Sequence, residues 1–321
     1  YEVDEIVEVE YQLPDQNKNP ALFAKPVVYE NGKEIPSQCE HELSNFNVDW
    51  RKRSVFAAKL APGQMTRFDI RIELIPTPAP ISQPSGDVID FKTASLEVVI
   101  NKATGLVDKF VVNGIPGTGK DAFRPIAVCD DENSWAHKEK SFREIKGEFR
   151  LMSPEQGTKF SGVTCGTVLP SVRVIEDGPV RTVVEAVFSY ADSFLCRRYY
   201  LPKTGTDLKI CDKVYWNEKM TMLKLSVPTP FDKTFIGQTA YGSDALTVIN
   251  DGTYGSDCKD GELRITMLRS PGYAAGKSDF SVRKPYIMEQ DRFSPFIDQG
   301  EHDYKFHFTV GSLSERLAHI E

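Results

Sequence analysis

The sequence is poor in the residues that hold metals or form disulfide scaffolds. Among 321 residues there are six cysteines and five histidines, and no two cysteines form a C-x-x-C pair. A disulfide scaffold would be shorter and denser in cysteine. The histidines form no H-x-D, H-x-H or H-E-x-x-H pair, which are the short spacings that zinc sites use. We therefore expect reduced, mostly buried thiols and no self-contained metal site.

Long apolar runs and excess positive charge are also missing. No run approaches the roughly 18 to 20 apolar residues that a membrane helix needs, so no membrane contact is expected. The 39 basic and 46 acidic residues give a net charge of −7. This argues against a nucleic-acid-binding protein, which needs a basic face to neutralise phosphates. A hydrophobic content of 40% is enough for a buried core, and the charge is compatible with a neutral partner such as a sugar.

Helical periodicity is scarce, and most segments alternate polar and apolar residues as strands do. Short strands at this spacing favour an all-β fold of sandwiches over βαβ units. The last ten residues are the one helix candidate, because Ser312 and Glu315 form a capping-box pattern. Three Asx-Gly pairs between extended runs predict turns. They are Asn31-Gly32, Asn113-Gly114 and Asp177-Gly178.

A proline-rich segment at residues 76–86 divides the sequence. Proline fixes φ and removes a backbone donor, so this segment is predicted to be a semi-rigid linker and not a central strand. We predict a small β-sandwich at 1–75, the linker at 76–86 and a large β-supersandwich at 87–321. Both ends of the sequence look cut, so we expect a piece of a longer polypeptide. Its expected location is cytoplasmic, although the termini give no direct sign of it.

One segment matches a phosphate-binding motif only in outline. Residues 114–120 fit G-x-x-x-x-G-K, but Asp121 follows where the motif needs Ser or Thr, and its charge would lie beside the phosphates. Pro125 then interrupts the helix that should face the phosphates. The segment is therefore predicted to be a glycine-rich connection after a strand.

Two polar segments have the composition of a sugar site. The segment 130–135 sets carboxylates and an amide beside Trp135, and sugars are bound by polar groups together with an aromatic face. The simpler interpretation is an acidic loop anchored by the tryptophan. The segment 250–255 is a polar turn with one tyrosine, and its simpler interpretation is a hairpin turn. With 46 acidic residues, composition cannot identify a catalytic carboxylate pair.

Several segments, in this order, resemble the C-terminal β region of the α-mannosidases of glycoside hydrolase family 38. The resemblance covers essentially the whole chain, as the stretch that follows the catalytic domain and the helical bundle. Its most specific parts are the later ones. The segments are Val7–Glu10, Asp131–Trp135, Asn250–Gly255, Leu263–Pro271 and Asp298–His302.

The resemblance implies a non-catalytic portion of a retaining α-mannosidase. In this family the aspartate nucleophile and the zinc site belong to an N-terminal α/β barrel with an H-x-D pair. That pair is absent here, so the resemblance implies no catalytic residue and no cofactor in this chain, with zinc in the full-length enzyme. It also implies that the large sandwich is galactose mutarotase-like.

The resemblance further implies partners and substrate-binding residues. The partners are the N-terminal catalytic barrel and helical domain of the same polypeptide and a mannose-containing oligosaccharide. By motif position, the substrate-binding residues are Asp131, Trp135, Asp251 and Tyr254.

Three other functions stay open at this point. The chain could be a freestanding carbohydrate-binding module, a sugar mutarotase or epimerase, or a purely structural scaffold. Mutarotation needs a positioned general acid and base. His302 beside Glu301 is the one faint candidate pair, and neighbouring strand residues face opposite sides of a sheet.

Overall fold

The computed structural model describes residues 2–15, 17–42, 50–131, 133–136, 141–162, 167–231, 235–236, 240–242, 246–273 and 293–312, with backbone alone for 235–236 and 240–242. The chain divides into two compact units. The first comprises Tyr1–Gln83, Val174–Val183 and Pro202–Thr204, and the second Pro84–Arg173, Val184–Leu201 and Gly205–Glu321.

The first unit contains two antiparallel three-stranded sheets, in the orders β1-β5-β4 and β3-β2-β6. Val28 of one sheet packs with Phe56 and Ala58 of the other, so the sheets form a small sandwich. The Asn31-Gly32 turn joins β2 and β3 with φ of 51° and 79°, which confirms that prediction. The strands are β1 Val3–Gln12, β2 Leu22–Glu30, β3 Lys33–Glu34, β4 Ser37–Glu40, β5 Arg51–Leu60 and β6 Phe68–Pro76.

A buried polar network ties the segment 174–183 of the first unit to β4 and β1. The Arg181 guanidinium donates to both carboxylate oxygens of Glu40, at 2.7 and 2.6 Å, and to Glu8 at 2.6 Å. Gln38 accepts from the backbone N–H of residues 180 and 181 and donates to the Arg181 carbonyl. Such a network fixes geometry because every buried charge in it has a partner.

The remaining strands form three antiparallel sheets, which confirms the all-β prediction. Their orders are β10-β9-β8-β7, β12-β11-β18-β23-β22 and β13-β15-β16-β17-β24-β21-β20-β19, with β14 beside β15. The strands are β7 Val88–Lys92, β8 Leu96–Asn101, β9 Val107–Val112, β10 Ile115–Pro116, β11 Arg124–Cys129, β12 Ile145–Glu148, β13 Arg150–Leu151, β14 Val172–Asp177, β15 Arg181–Tyr190, β16 Ser193–Pro202, β17 Leu208–Trp216, β18 Thr221–Pro228, β19 Phe235–Ile236, β20 Ala240–Gly242, β21 Leu246–Asn250, β22 Ser256–Lys259, β23 Glu262–Arg269 and β24 Gly300–Val310.

Aromatic rings and one ion pair fill the core of the second unit. Phe123 lies between Phe110 of β9 and Phe308 of β24, with ring centroids 6.4 and 4.5 Å away. Arg197 donates to both oxygens of Asp212 at 2.7 and 2.6 Å, and both side chains are fully buried. The rings bring the four-stranded and nine-stranded sheets together, and the ion pair links β16 to β17.

The sequence missed one helix. α1 spans Pro154–Phe160, and Ser153 and Gln156 form a reciprocal capping box at its N-terminus. The prediction that helix is confined to the last ten residues is therefore wrong, and residues 313–321 lie outside the described part of the chain. Residues 77–87 between β6 and β7 carry no strand. The domain limits at 75 and 86 stay a prediction.

Two smaller predictions have clear outcomes. Asn113-Gly114 forms the β9–β10 turn with φ of 50° and 80°, and no helix follows residues 114–120, which confirms the glycine-rich connection. The cysteines in the described residues form no disulfide with one another, and each is only partly exposed, in line with the expected buried thiols. Cys165 lies outside the described residues.

Candidate functional site

One end of the five-stranded sheet gathers the polar segments that the sequence singles out. Antiparallel pairing places the ends of β11 and β23 beside the starts of β12, β18 and β22. Ile297 N–H donates to the Pro271 carbonyl and brings a further segment to this end. We define the loop end as residues 130–131, 133–136, 217–220, 250–255, 270–273 and 293–299.

An arginine at the end of β23 holds the first of these loops. Arg269 donates from Nε and Nη2 to the two carboxylate oxygens of Asp130, at 3.0 and 2.7 Å, and from Nη1 to the Ser134 carbonyl at 3.4 Å. The Asp130 carboxylate is fully buried, and the guanidinium lies over the Phe142 ring at 4.9 Å. A bidentate arginine–carboxylate pair is geometrically specific, so it positions the loop.

Successive side-chain turns then present Trp135 to solvent. Asp131 Oδ1 accepts from Asn133 N–H at 3.1 Å, and Asn133 Oδ1 accepts from Trp135 N–H at 2.8 Å. Asp131 and Asn133 are buried, whereas Trp135 is 73% exposed. The Asn133 amide nitrogen has no hydrogen-bond partner within the described structure. Trp135 is therefore an exposed aromatic on a loop that these hydrogen bonds support. This exposure disagrees with the simpler interpretation, in which the tryptophan anchors the loop.

Ser270 and Gln299 connect three further segments of the loop end. Ser270 Oγ lies 2.7 Å from the Glu218 carbonyl oxygen and 3.0 Å from the Ile297 carbonyl oxygen, and its one hydroxyl hydrogen is shared between them. Gln299 Nε2 donates to the Glu218 carbonyl at 2.8 Å and to Ser270 Oγ. Because Ser270 follows Arg269 directly, these hydrogen bonds are continuous with the Arg269–Asp130 ion pair.

The segment 250–255 is not a hairpin turn, so its simpler interpretation is wrong. It leads from β21 in the nine-stranded sheet to β22 in the five-stranded sheet. Asn250 Oδ1 accepts from Thr253 N–H at 3.1 Å, and Asp251 lies 3.7 Å from Lys305 with a side chain that is 73% exposed. Tyr254 is 76% exposed. Tyr254 and Asp251 are thus available to a ligand.

Strand β23 relates the two predicted groups of residues. Thr266 N–H donates to the Gly255 carbonyl at 2.7 Å, and Arg269 holds Asp130 three residues further on. A strand rises about 3.3 Å per residue, so these contacts lie about 10 Å apart. Asp131 and Trp135 therefore lie in the loop after β11 of the five-stranded sheet. Segment 250–255 reaches that sheet at Gly255, whereas Asp251 lies beside Lys305 of β24 in the nine-stranded sheet.

Sequence reasoning missed other residues at the loop end. Tyr273 is 71% exposed and Phe293 is 88% exposed. Arg269 lies within the segment Leu263–Pro271, but its role was not predictable from sequence because its partner is 139 residues away. The signal in the sequence is a charged residue at the end of a strand, followed directly by Ser-Pro.

Both residues of the acid–base pair considered for mutarotation already have other partners. His302 Nε2 lies 2.9 Å from the Asp298 carbonyl. Glu301 forms a salt bridge with Lys213, and the hydrogen bond from Lys213 holds the pKa of Glu301 below its ordinary value. A carboxylate held in this way is a weak proton acceptor.

Metal-binding and membrane-spanning features were sought in the described residues. Within them no group of three or more His, Cys, Asp or Glu side chains is arranged to hold a metal ion. No helix among them has the length and apolar character to cross a membrane.

Comparison with solved structures shows the fold. An α-mannosidase from Enterococcus faecalis V583 matches 100% of this chain and 43% of its own, with 13% identity and a TM-score of 0.58. A glycosyl hydrolase family 38 protein from Enterococcus faecalis matches 100% and 44%, with 12% identity and a TM-score of 0.61. This chain thus spans less than half the length of either, and its fold is that of a part of these chains.

The remaining comparisons add little. A putative aldose 1-epimerase from Escherichia coli K12 matches 70% of this chain and 99% of its own, with 9% identity and a TM-score of 0.32. No argument rests on that likeness. No family model and no curated protein matches the sequence.

Proposed function

We propose that this chain is the non-catalytic C-terminal portion of a retaining α-mannosidase. Its loop end shapes the sugar pocket, and its sheets support the catalytic barrel of the same polypeptide. The observation that carries the proposal is the match of the whole chain to part of two solved chains, one of them an α-mannosidase. The sequence resemblance gives the same family independently. A cytoplasmic location belongs to the proposal.

The loop end has the groups that a mannose pocket needs. A retaining reaction passes through an oxocarbenium-like transition state, with the ring hydroxyls held in a distorted sugar. Groups remote from the anomeric carbon supply binding energy for that distortion. Tyr254 donates to a hydroxyl, Asp251 accepts from one, and Trp135 covers the C–H face of the ring. Asp131 holds the turn that carries Trp135.

The described residues provide no set of ligands for the zinc ion of the resembling family. Zinc sites use three or four His, Cys or carboxylate ligands within about 2.0–2.3 Å, and the described residues contain no such group. We therefore assign no zinc ligand among the described residues and propose that the zinc of the longer enzyme lies in its barrel.

Hydrolysis of an aryl α-mannoside tests the proposal. The purified chain should release no aryl alcohol above the buffer rate, whereas the longer polypeptide that contains it should hydrolyse the substrate with retention of configuration. Hydrolysis by the chain alone, in material free of other glycosidases, would contradict the proposed division of labour. An inactive longer polypeptide would contradict the assignment itself.

The exposure of Trp135 and Tyr254 favours a second candidate, a freestanding carbohydrate-binding module. Aromatic rings at 73% and 76% exposure can cover a sugar without help from another domain. Calorimetric titration of the chain with mannose and mannobiose tests this candidate. Binding that is lost in Trp135→Ala and in Tyr254→Ala would support the module.

A further inference from the structure

A cleft lies in the same unit as the loop end. It has a volume of about 510 Å³ and opens to solvent. We call it the Tyr190 cleft. Its lining includes Ile145, Gly147, Glu148, Arg150, Ser189 and Tyr190.

The cleft forms where the chain passes from one sheet to another. Strand β12 is at the edge of the five-stranded sheet, and β13 is at the edge of the nine-stranded sheet. Only Phe149 separates these strands, and its N–H donates to the Pro125 carbonyl at 3.0 Å. Arg150 pairs with Ser189 across the β13–β15 ladder. The walls are therefore backbone of two sheets, which is a rigid support.

Tyr190 has a fixed position in this cleft. A Cβ atom on Gly147 would lie 2.3 Å from Tyr190 Cε2, so the ring packs directly on a backbone that has no side chain. The Phe149 ring lies 5.7 Å away. The following turn is also held, because Glu218 Oε1 accepts from Asp192 N–H at 3.0 Å and from Ser193 Oγ at 2.8 Å.

We propose that the Tyr190 cleft binds a neutral saccharide of one or two rings. Each sugar hydroxyl both donates and accepts hydrogen bonds, and the lining offers both roles. Glu148 accepts, Arg150 donates, and Ser189 and Tyr190 do either. The Tyr190 ring offers an aromatic surface to the C–H groups.

Charge and size favour this ligand class over ions. The lining contains one carboxylate, Glu148, and one guanidinium, Arg150, which lie 3.5 Å apart, so the lining residues carry no net charge. The Arg150 side chain is 82% exposed, which leaves its other donors free for a ligand. A volume of 510 Å³ falls in the range of small-molecule sites, about 300–1,000 Å³. This inference does not depend on the proposed function.

Calorimetric titration of the chain with mannobiose and maltose tests the inference. At least one of them should bind, and Glu148→Gln and Tyr190→Ala should each weaken the affinity at least tenfold. Arg67→Ala should leave this binding unchanged, because Arg67 is 86% exposed and lies in the first unit. Gly147→Ala should also weaken it, because the new Cβ displaces the Tyr190 ring.

Each result has a defined meaning. Absence of binding by both sugars would overturn the inference, as would binding lost in Trp135→Ala but kept in Tyr190→Ala. Displacement of the sugar by an extended peptide that pairs with β12 would assign the cleft to peptides and overturn it as well. If circular dichroism shows that Tyr190→Ala does not fold, the affinity of the isosteric Glu148→Gln variant tests the inference alone. That variant should fold, because the Glu148 side chain is 35% exposed.

Discussion

Arg269 and Asp130 form a bidentate pair at 3.0 and 2.7 Å across the end of the five-stranded sheet. The aspartate lies at the root of the loop that presents Trp135, and the arginine closes β23. The pair therefore fixes the exposed tryptophan to the sheet.

Arg269→Ala should loosen the Trp135 loop. The fully buried Asp130 carboxylate would lose its counter-ion, and breaking a buried pair costs about 3–5 kcal/mol. Amide hydrogen exchange at Trp135 and Ala136 should accelerate, and the free energy of unfolding should fall. Arg67→Ala is the matched control, because Arg67 is 86% exposed beside Asp69. Equal amide exchange rates at Trp135 and Ala136 in both variants would show that the Arg269–Asp130 pair does not hold this loop.

Arg181→Ala should destabilise the first unit. Arg181 and Glu40 are each 2% exposed, so the variant takes the bidentate partner from a buried carboxylate and leaves it Gln38 and the more distant Arg53. Breaking a buried pair costs up to about 3–5 kcal/mol. The urea concentration at the midpoint of unfolding should fall markedly. Lys59→Ala is the control, since Lys59 is 70% exposed at 3.7 Å from Asp4, and exposed pairs contribute below about 1 kcal/mol. Similar midpoints for the two variants would contradict this account of the network.

His41 should titrate above the ordinary histidine pKa. Its Nδ1 lies 2.7 Å from Glu176 Oε1, and the hydrogen bond to Glu176 raises the pKa of His41 above its ordinary value. The resulting stabilisation is complete below about pH 6.5, the unfolded value, and is lost as the pH rises through the raised pKa. The effect on unfolding is small because the ring is 87% exposed.

Proton NMR titration of the His41 ring measures this pKa directly. Glu176→Gln should return it toward the ordinary value, because the neutral amide no longer favours the imidazolium. A His41 pKa that is the same in both proteins would rule out the assigned cause.

Two glycine-to-alanine variants should differ in the free energy of unfolding, because only one of them creates a steric clash. Gly105 has φ of 72°, and a Cβ there would lie 2.8 Å from Phe188 Cζ and 2.9 Å from Leu151 Cδ1. Gly114 has φ of 80° with nothing within 4 Å. Both variants incur about 1–2 kcal/mol for the left-handed backbone, and Gly105→Ala should cost a further 1–3 kcal/mol or so for overpacking. Thermal unfolding checks the order, and equal melting temperatures would contradict it.

The fold was largely predictable because strand alternation and Asx-Gly turns are local signals. Asn31-Gly32 and Asn113-Gly114 adopt the positive φ values that their turns require. α1 was missed, although Ser153 and Gln156 carry its capping-box pattern. The helix has only seven residues, too few for a clear helical period.

The site was predictable only in part, because its contacts are remote in sequence. The polar and aromatic composition of 130–135 and 250–255 marked both segments. Whether 250–255 stays within one sheet or crosses to another depends on the pairing of β22 with β23, which the segment does not encode. Arg181 and Glu40 are 141 residues apart, and nothing in either local sequence identifies the partner.

The central claim is that the loop end lines the sugar pocket of a longer enzyme. Its most direct test is kcat/KM for an α-mannoside, measured on the longer polypeptide with Trp135→Ala and with Trp50→Ala. Trp135 is 73% exposed, so its removal should leave the melting temperature nearly unchanged. We expect Trp135→Ala to lower kcat/KM at least tenfold, which is about 1.4 kcal/mol of transition-state stabilisation, and Trp50→Ala to leave it within about twofold. Unchanged kcat/KM in Trp135→Ala would contradict the claim.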